Sequence, residues 1–209
     1  MKILLMAILG LLLVPQTAQA EVVTLLERGT LEHPALVLVK GVLLATRSQA
    51  NIKALRTIAE EEKVVTVFLD SPGGALITAI QLGNIIREHG IKTAVADSAQ
   101  CASACALVWL SGKERYMGEN ARIGFHSIRV SKGTFEVSYR GNAAVEGYLD
   151  YALGLTNPEV ASYVTKAPPH SMTWLTMSDA KQLSLDVKPF SLSQDQWAWA
   201  RTALAKAKR

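Results

Sequence analysis

"VVTVFLDSPGG", residues 64–74, reads as a strand running straight into a tight turn. Val64 to Asp70 is a near-continuous apolar run without alternation, as in a parallel strand covered on both faces. Ser71-Pro72-Gly73-Gly74 then breaks it. The same grammar continues on either side. "ALVLVKG" (35–41) is β-branched and apolar and ends at a glycine, which predicts a strand. "SQANIKALRTIAEEEK" (48–63) spaces Ile52, Leu55, Ile58 and Ala59 as one helix face, with Ser48 placed to cap. Ala75 to His89 is helical again, Gly90 is placed to end it, and "IKTAVAD" (91–97) predicts another strand. Strand, helix, strand, helix, strand implies parallel strands joined by helical crossovers, an α/β fold.

With 49% of 209 residues hydrophobic and 19% charged, the chain has material for one globular domain with a substantial core. That domain is expected over residues 21–209. The first twenty residues, "MKILLMAILGLLLVPQTAQA", follow a secretory layout: Lys2, an apolar run from Ile3 to Val14, Pro15, then Ala18-Gln19-Ala20. The expectation is a signal peptide cleaved after Ala20 and an exported protein, periplasmic or secreted; an uncleaved leader would make it a membrane tether. The formal charge of +4 falls to +3 once Lys2 leaves. Part of the excess is a basic tail, Arg201, Lys206, Lys208 and Arg209, rather than a basic face, so nucleic acid is not an expected partner.

The second half predicts a helix at about 104–111, short strands near 115–117 and 121–126, and helices at 143–153, 157–166 and 177–184. "RVSKGTFEVSYRGN" (129–142) alternates around Lys132-Gly133 and suits a hairpin or exposed arm. A C-terminal amphipathic helix over about 193–208 has Ser193 and Gln196 as a possible capping box. Trp197, Trp199 and Leu204 give it an apolar face to pack on the body.

Three features carry chemistry. The double glycine after a buried strand leaves backbone N–H groups uncovered by any Cβ, able to approach a developing oxyanion. Ser103 sits in the small-residue run "CASACALVWLSG" (101–112) at a strand-to-helix junction, and the Ala104 N–H beside it is a natural second oxyanion donor. His126 ends the strand "RIGFH", where a neutral imidazole can accept the serine proton and return it to a leaving group.

Taken in order, these segments resemble the proteolytic subunit of Clp protease, ClpP, within the wider ClpP/crotonase fold of repeated ββα and βα units around a mostly parallel sheet. "SPGG" (71–74) matches that family's oxyanion turn. "CASACALVWLSG" matches its nucleophile segment, Ala-Ala-Ser-Met-Gly-Ala followed by an apolar helix and glycine. "KERYMGENARIGFHS" (113–127) matches the stretch leading to its catalytic histidine. The likeness spans roughly residues 35 to 187. It implies a serine peptidase with Ser103 as nucleophile, His126 as general base, and the Gly73 and Ala104 N–H groups as oxyanion hole. The arm at 129–142 would lie beside a peptide or unfolded protein bound as an added strand. It also implies a possible homo-oligomer and no cofactor.

Two departures accompany the likeness. Where the family carries its third triad residue, "HSMTWLTMSDAKQLSLDV" (170–187) places Met172. Ser171, a backbone carbonyl or a distant acid such as Asp150 then orients the imidazole, or the site is a bare Ser–His dyad. Loss of the orienting acid can cost about 10⁴-fold in turnover. Export also removes the ATP supply, so no ATPase partner is expected. The Ser–Lys pair of the signal-peptide peptidase class is not matched, and Lys113 and Lys132 read as surface charges. Two other readings compete with the peptidase: a binding or assembly module that has lost useful catalysis, and a crotonase-type acyl-thioester enzyme, for which no coenzyme A signature is seen.

Cys101 and Cys105 are the only thiols and flank Ser103. In an exported chain they invite a disulfide, which needs the chain to turn at Ser103. Otherwise they are small buried hydrophobes. Two thiols without clustered histidines are too few ligands for a metal.

Overall fold

The computed structural model of the protein describes residues 21–46, 48–130, 136–194 and 197–207. The expected signal peptide, Lys132-Gly133 and Gln196 lie outside the described residues.

The main sheet has six strands: β1 (Val22–Glu27), β2 (Ala35–Lys40), β3 (Val65–Asp70), β4 (Lys92–Val95), β6 (Arg115–Gly118) and β9 (Val187–Phe190). They lie in the order β1-β2-β3-β4-β6-β9. Every neighbouring pair is parallel except β1 with β2. Val65 through Leu69 are buried, as the unbroken apolar run of β3 requires. A smaller sheet carries β5 (Gln100–Ala102), β7 (Arg122–Phe125) and β8 (Thr173–Trp174) in the order β5-β7-β8. A bridge from Ser71 to Cys101 ties the two sheets together at the turn after β3.

Helices α1 (Gln49–Glu61), α2 (Leu76–Glu88) and α3 (Ala104–Leu110) fall where the apolar spacing placed them. Ser48 stands at the N-terminus of α1, yet its hydroxyl caps nothing there; it accepts from Thr78 Oγ1 at 3.2 Å and so ties α1 to α2. Gly90 adopts φ +61° and closes α2, its N–H donating to the Arg87 carbonyl. The expected helix at 143–153 begins earlier, as α4 (Tyr139–Gly147), and continues as a π-helical turn over Tyr148–Ala152. α5 (Pro158–Thr165), α6 (Met177–Gln182) and α7 (Ala198–Ala207) complete the chain. The expected arm at 129–142 is shorter than its alternation suggests: Arg129 bridges Val137 and the Val130 N–H donates to the Glu136 carbonyl, but from Tyr139 the chain is already α4, capped by Ser138 Oγ.

Two strands of the main sheet were not legible in the pattern. β1 is six residues long, and its burial alternates only over Val22, Val23 and Thr24 before Leu25 to Glu27 become half-buried; so short an alternation gives no period to read. β9 contains Pro189, which speaks against a strand except at a sheet edge, where the missing N–H is not needed. β9 is that edge. Trp197 anchors the C-terminal helix in the core, edge-on to Phe190 (4.8 Å) and Tyr116 (5.1 Å), while Trp199 stacks on His33 (4.7 Å).

Candidate active site

The backbone at Ser103 turns sharply between β5 and α3. Its φ of +57° and ψ of −127° are unusual for a residue with a Cβ, and such a conformation costs on the order of 1–3 kcal/mol. It persists because both flanks are fixed. The Ala102 N–H donates to the Ser71 carbonyl, and the Ser103 N–H donates to the Gly124 carbonyl at 2.8 Å. The Cys101–Cys105 disulfide spans the turn with its Cα atoms 5.1 Å apart, both cysteines fully buried. A serine on such a strand-to-helix turn is pushed out of the sheet, hydroxyl foremost.

His126, half-buried at the end of β7, meets it: His126 Nε2 lies 2.7 Å from Ser103 Oγ. The other ring nitrogen, Nδ1, lies 2.7 Å from the carbonyl oxygen of Ser127. A carbonyl only accepts, so Nδ1 carries the hydrogen and Nε2 presents a lone pair to the serine hydroxyl. The carbonyl is itself held in place. The Ser127 N–H donates to the Ala167 carbonyl (2.7 Å), and Ser127 Oγ donates to the Thr165 carbonyl (2.6 Å) at the end of α5. Among the described residues no carboxylate bonds the imidazole; Ser171 and Asp150 are both exposed and make no bond to it. Met172 lines the same cavity, its side chain over Gly124, where any Cβ would press on Met172 Cγ.

Burial holds the His126 pKa below the usual imidazole value. The hydrogen bond to Ser127 opposes that shift and the positive charge of Arg129 adds to it. The ring is therefore kept neutral, the form a general base needs.

The double glycine approaches Ser103 from the other side. Gly73 (φ +92°) is so close that a Cβ there would collide with the Ala102 carbonyl and reach within 2.8 Å of Ser103 Cβ. A Cβ on Gly74 (φ +143°) would strike the Leu43 carbonyl. Only glycine fits both positions. The Gly73 N–H, read from the sequence as an oxyanion donor, donates to Ser71 Oγ at 3.0 Å. Gly74 is bridged to Leu43 through its neighbours, with the Leu43 N–H on the Gly73 carbonyl and the Ala75 N–H on the Leu43 carbonyl. That ladder turns the Gly74 N–H away from Leu43, without a hydrogen-bond partner among the described residues. The sequence offers both glycine amides, and the family likeness singles out Gly73; which of the two is left without a partner depends on the register with Leu43. Lys113 is exposed and away from the cavity; Lys132 lies outside the described residues.

These groups open onto a cavity of about 540 Å³. Val42, Pro72, Leu76, Ile128, Pro169 and Met172 supply apolar lining, and Arg129 lines it too.

Solved structures share this architecture. ClpP1 from Listeria monocytogenes superposes with a TM-score of 0.56 at 19% identity, covering 78% of this chain and 94% of that one. A variant of the 1510-N membrane-bound stomatin-specific protease gives 0.55 at 16% identity, over 72% and 77% of the two chains. Another variant of that protease, in complex with a substrate peptide, gives 0.56 at 19%, over 72% and 73%. This is a ClpP-like fold. At such identities the likeness extends to the architecture and no further. No family model matches the chain, and no curated protein matches it in sequence. No helix among the described residues is long and apolar enough to cross a membrane.

Proposed function

We propose that the protein is an exported, ATP-independent serine peptidase working with a Ser103–His126 dyad. The observation that carries this reading is the 2.7 Å contact between Ser103 Oγ and the unprotonated His126 Nε2 on a strained, braced turn. Ser98 and Ser184 also take a positive φ; what sets Ser103 apart is the neutral imidazole aimed at its hydroxyl.

Ser103 Oγ attacks the carbonyl carbon of a bound peptide while its proton passes to His126 Nε2. The carbonyl π electrons move onto oxygen, and the Ala104 N–H and a glycine amide stabilise that charge. Gly74 offers an N–H that has no partner among the described residues; Gly73 does so once the Ser71 hydroxyl turns away. Collapse of the tetrahedral intermediate breaks the C–N bond, and the departing amine takes the proton from Nε2. Water then attacks the Ser103 ester, again losing its proton to His126, and the second product leaves as Ser103 recovers its hydrogen. Through both steps Nδ1–H stays on the Ser127 carbonyl. That carbonyl fixes the ring and its tautomer but carries no full negative charge to offset the imidazolium.

The test is reaction of the folded protein with a fluorophosphonate probe, beside Ser103→Ala and His126→Ala. The peptidase reading expects labelling at Ser103 in the wild type alone. Folded wild type that takes no label would instead be a binding module that keeps the fold, a reading the Met172 side chain in the cavity favours.

A further inference from the structure

We propose that Arg129 makes this site selective for peptides bearing a carboxylate next to the bond that is cut. The inference rests on the peptidase reading above and names its substrate class.

Of the side chains lining the catalytic cavity, Arg129 is the one that is permanently charged; the rest are apolar, glycine, Ser103 or neutral His126. Its guanidinium, like those of Arg87 and Arg140, has no ion pair or hydrogen bond among the described residues, but of these three only Arg129 lines the cavity. Its backbone is well anchored. One residue before it, the Ile128 N–H donates to Asn142 Oδ1 (2.8 Å) and the Ile128 carbonyl accepts from the Ser138 N–H (2.6 Å). Arg129 itself bridges Val137. The anchored backbone places this exposed residue among those lining the cavity, three residues beyond the general base.

A guanidinium with no partner among the described residues, beside apolar walls, suits a ligand with an apolar body and one carboxylate. The planar fork binds a carboxylate through two parallel N–H donors. The charge also acts on the base, since Arg129 disfavours the His126 imidazolium. A substrate carboxylate on Arg129 cancels that repulsion, supplying from the ligand part of what Met172 cannot. The carboxylate can come from an acidic side chain or from the free C-terminus of the peptide.

Four acetylated peptides of one apolar sequence separate these sources. They carry Glu or Gln beside the central residue, and a free or an amidated C-terminus. Each is measured as a competitor of fluorophosphonate labelling at Ser103. At least one carboxylate form is expected to protect at about tenfold lower concentration than its amide partner. The Glu/Gln pair reports an acidic side chain, and the acid/amide pair reports a C-terminus. In Arg129→Gln that ratio should fall to within about twofold of unity, and in Arg129→Lys it should be partly kept. Equal protection by acids and amides in the wild type overturns the proposal, as does a preference that survives Arg129→Gln. If the folded wild type takes no label, the peptidase reading fails by itself. Calorimetric titration of the same four peptides then still decides for or against Arg129.

Discussion

The two halves of the candidate site are built on different principles. The Ser103 side, the proposed nucleophile, is over-determined: Ser103 is held by two backbone hydrogen bonds, a disulfide, and glycines that admit no side chain. The base side is economical. His126 is oriented by one carbonyl, and that carbonyl hangs on two hydrogen bonds from Ser127 to the end of α5. The difference teaches where each kind of precision is needed. A nucleophile must be presented at a fixed angle against backbone strain, so it needs covalent and steric bracing. An imidazole needs a tautomer and a direction, and a neutral acceptor provides both, though without stabilising the charged intermediate as a carboxylate would.

The largest expected effect comes from breaking the junction of the two halves. His126→Ala should lower Ser103 phosphonylation and peptide turnover by about 10⁴-fold or more with the fold intact. Circular dichroism together with labelling kinetics checks this, and near-wild-type rates would separate the two residues functionally. On the nucleophile side, Cys101→Ala with Cys105→Ala should lower stability by about 2 kcal/mol, the loop-entropy contribution of so short a closed ring. Labelling of the remaining folded protein should also slow, because the Ser103 turn loses its brace. Denaturant melts and labelling rates at matched folded fraction distinguish the two effects.

The base side can be sharpened as well as broken. Met172→Asp should bring a carboxylate to the cavity and raise turnover by about tenfold, roughly 1.4 kcal/mol of barrier. It should also move the pH profile. In the wild type, burial first and Arg129 second hold His126 below the ordinary imidazole value, so the acidic limb of kcat/KM lies below about pH 6.5. A nearby carboxylate favours the imidazolium and shifts that limb upward. A profile that stays put would mean that the new acid does not reach the ring. The smallest effect is expected from Ser127→Ala, which removes the donor to the Thr165 carbonyl. A loss of about 1 kcal/mol in stability and a few-fold drop in kcat, with KM unchanged, is the expected signature.

Local chemistry made much of this readable before any coordinates. The unbroken apolar run of β3 and the helical spacing of α1 and α2 point to parallel α/β layering, because burial on two faces and on one face leave different periods in the chain. Pro-Gly-Gly, the small residues around Ser103 and a histidine at a strand end each state a local steric or chemical requirement. So does a pair of cysteines four residues apart, once the chain is known to turn between them. Folding had to decide everything that depends on distant partners. The amide of Gly74 has no partner among the described residues, because the register with distant Leu43 turns it away from that residue. The third member of the site is a peptide carbonyl, a group every residue carries, and no side chain announces which one will be aimed. Whether an arginine finds an ion pair or is left open beside a cavity is likewise settled by what packs around it, and that is a property of the fold rather than of the residue.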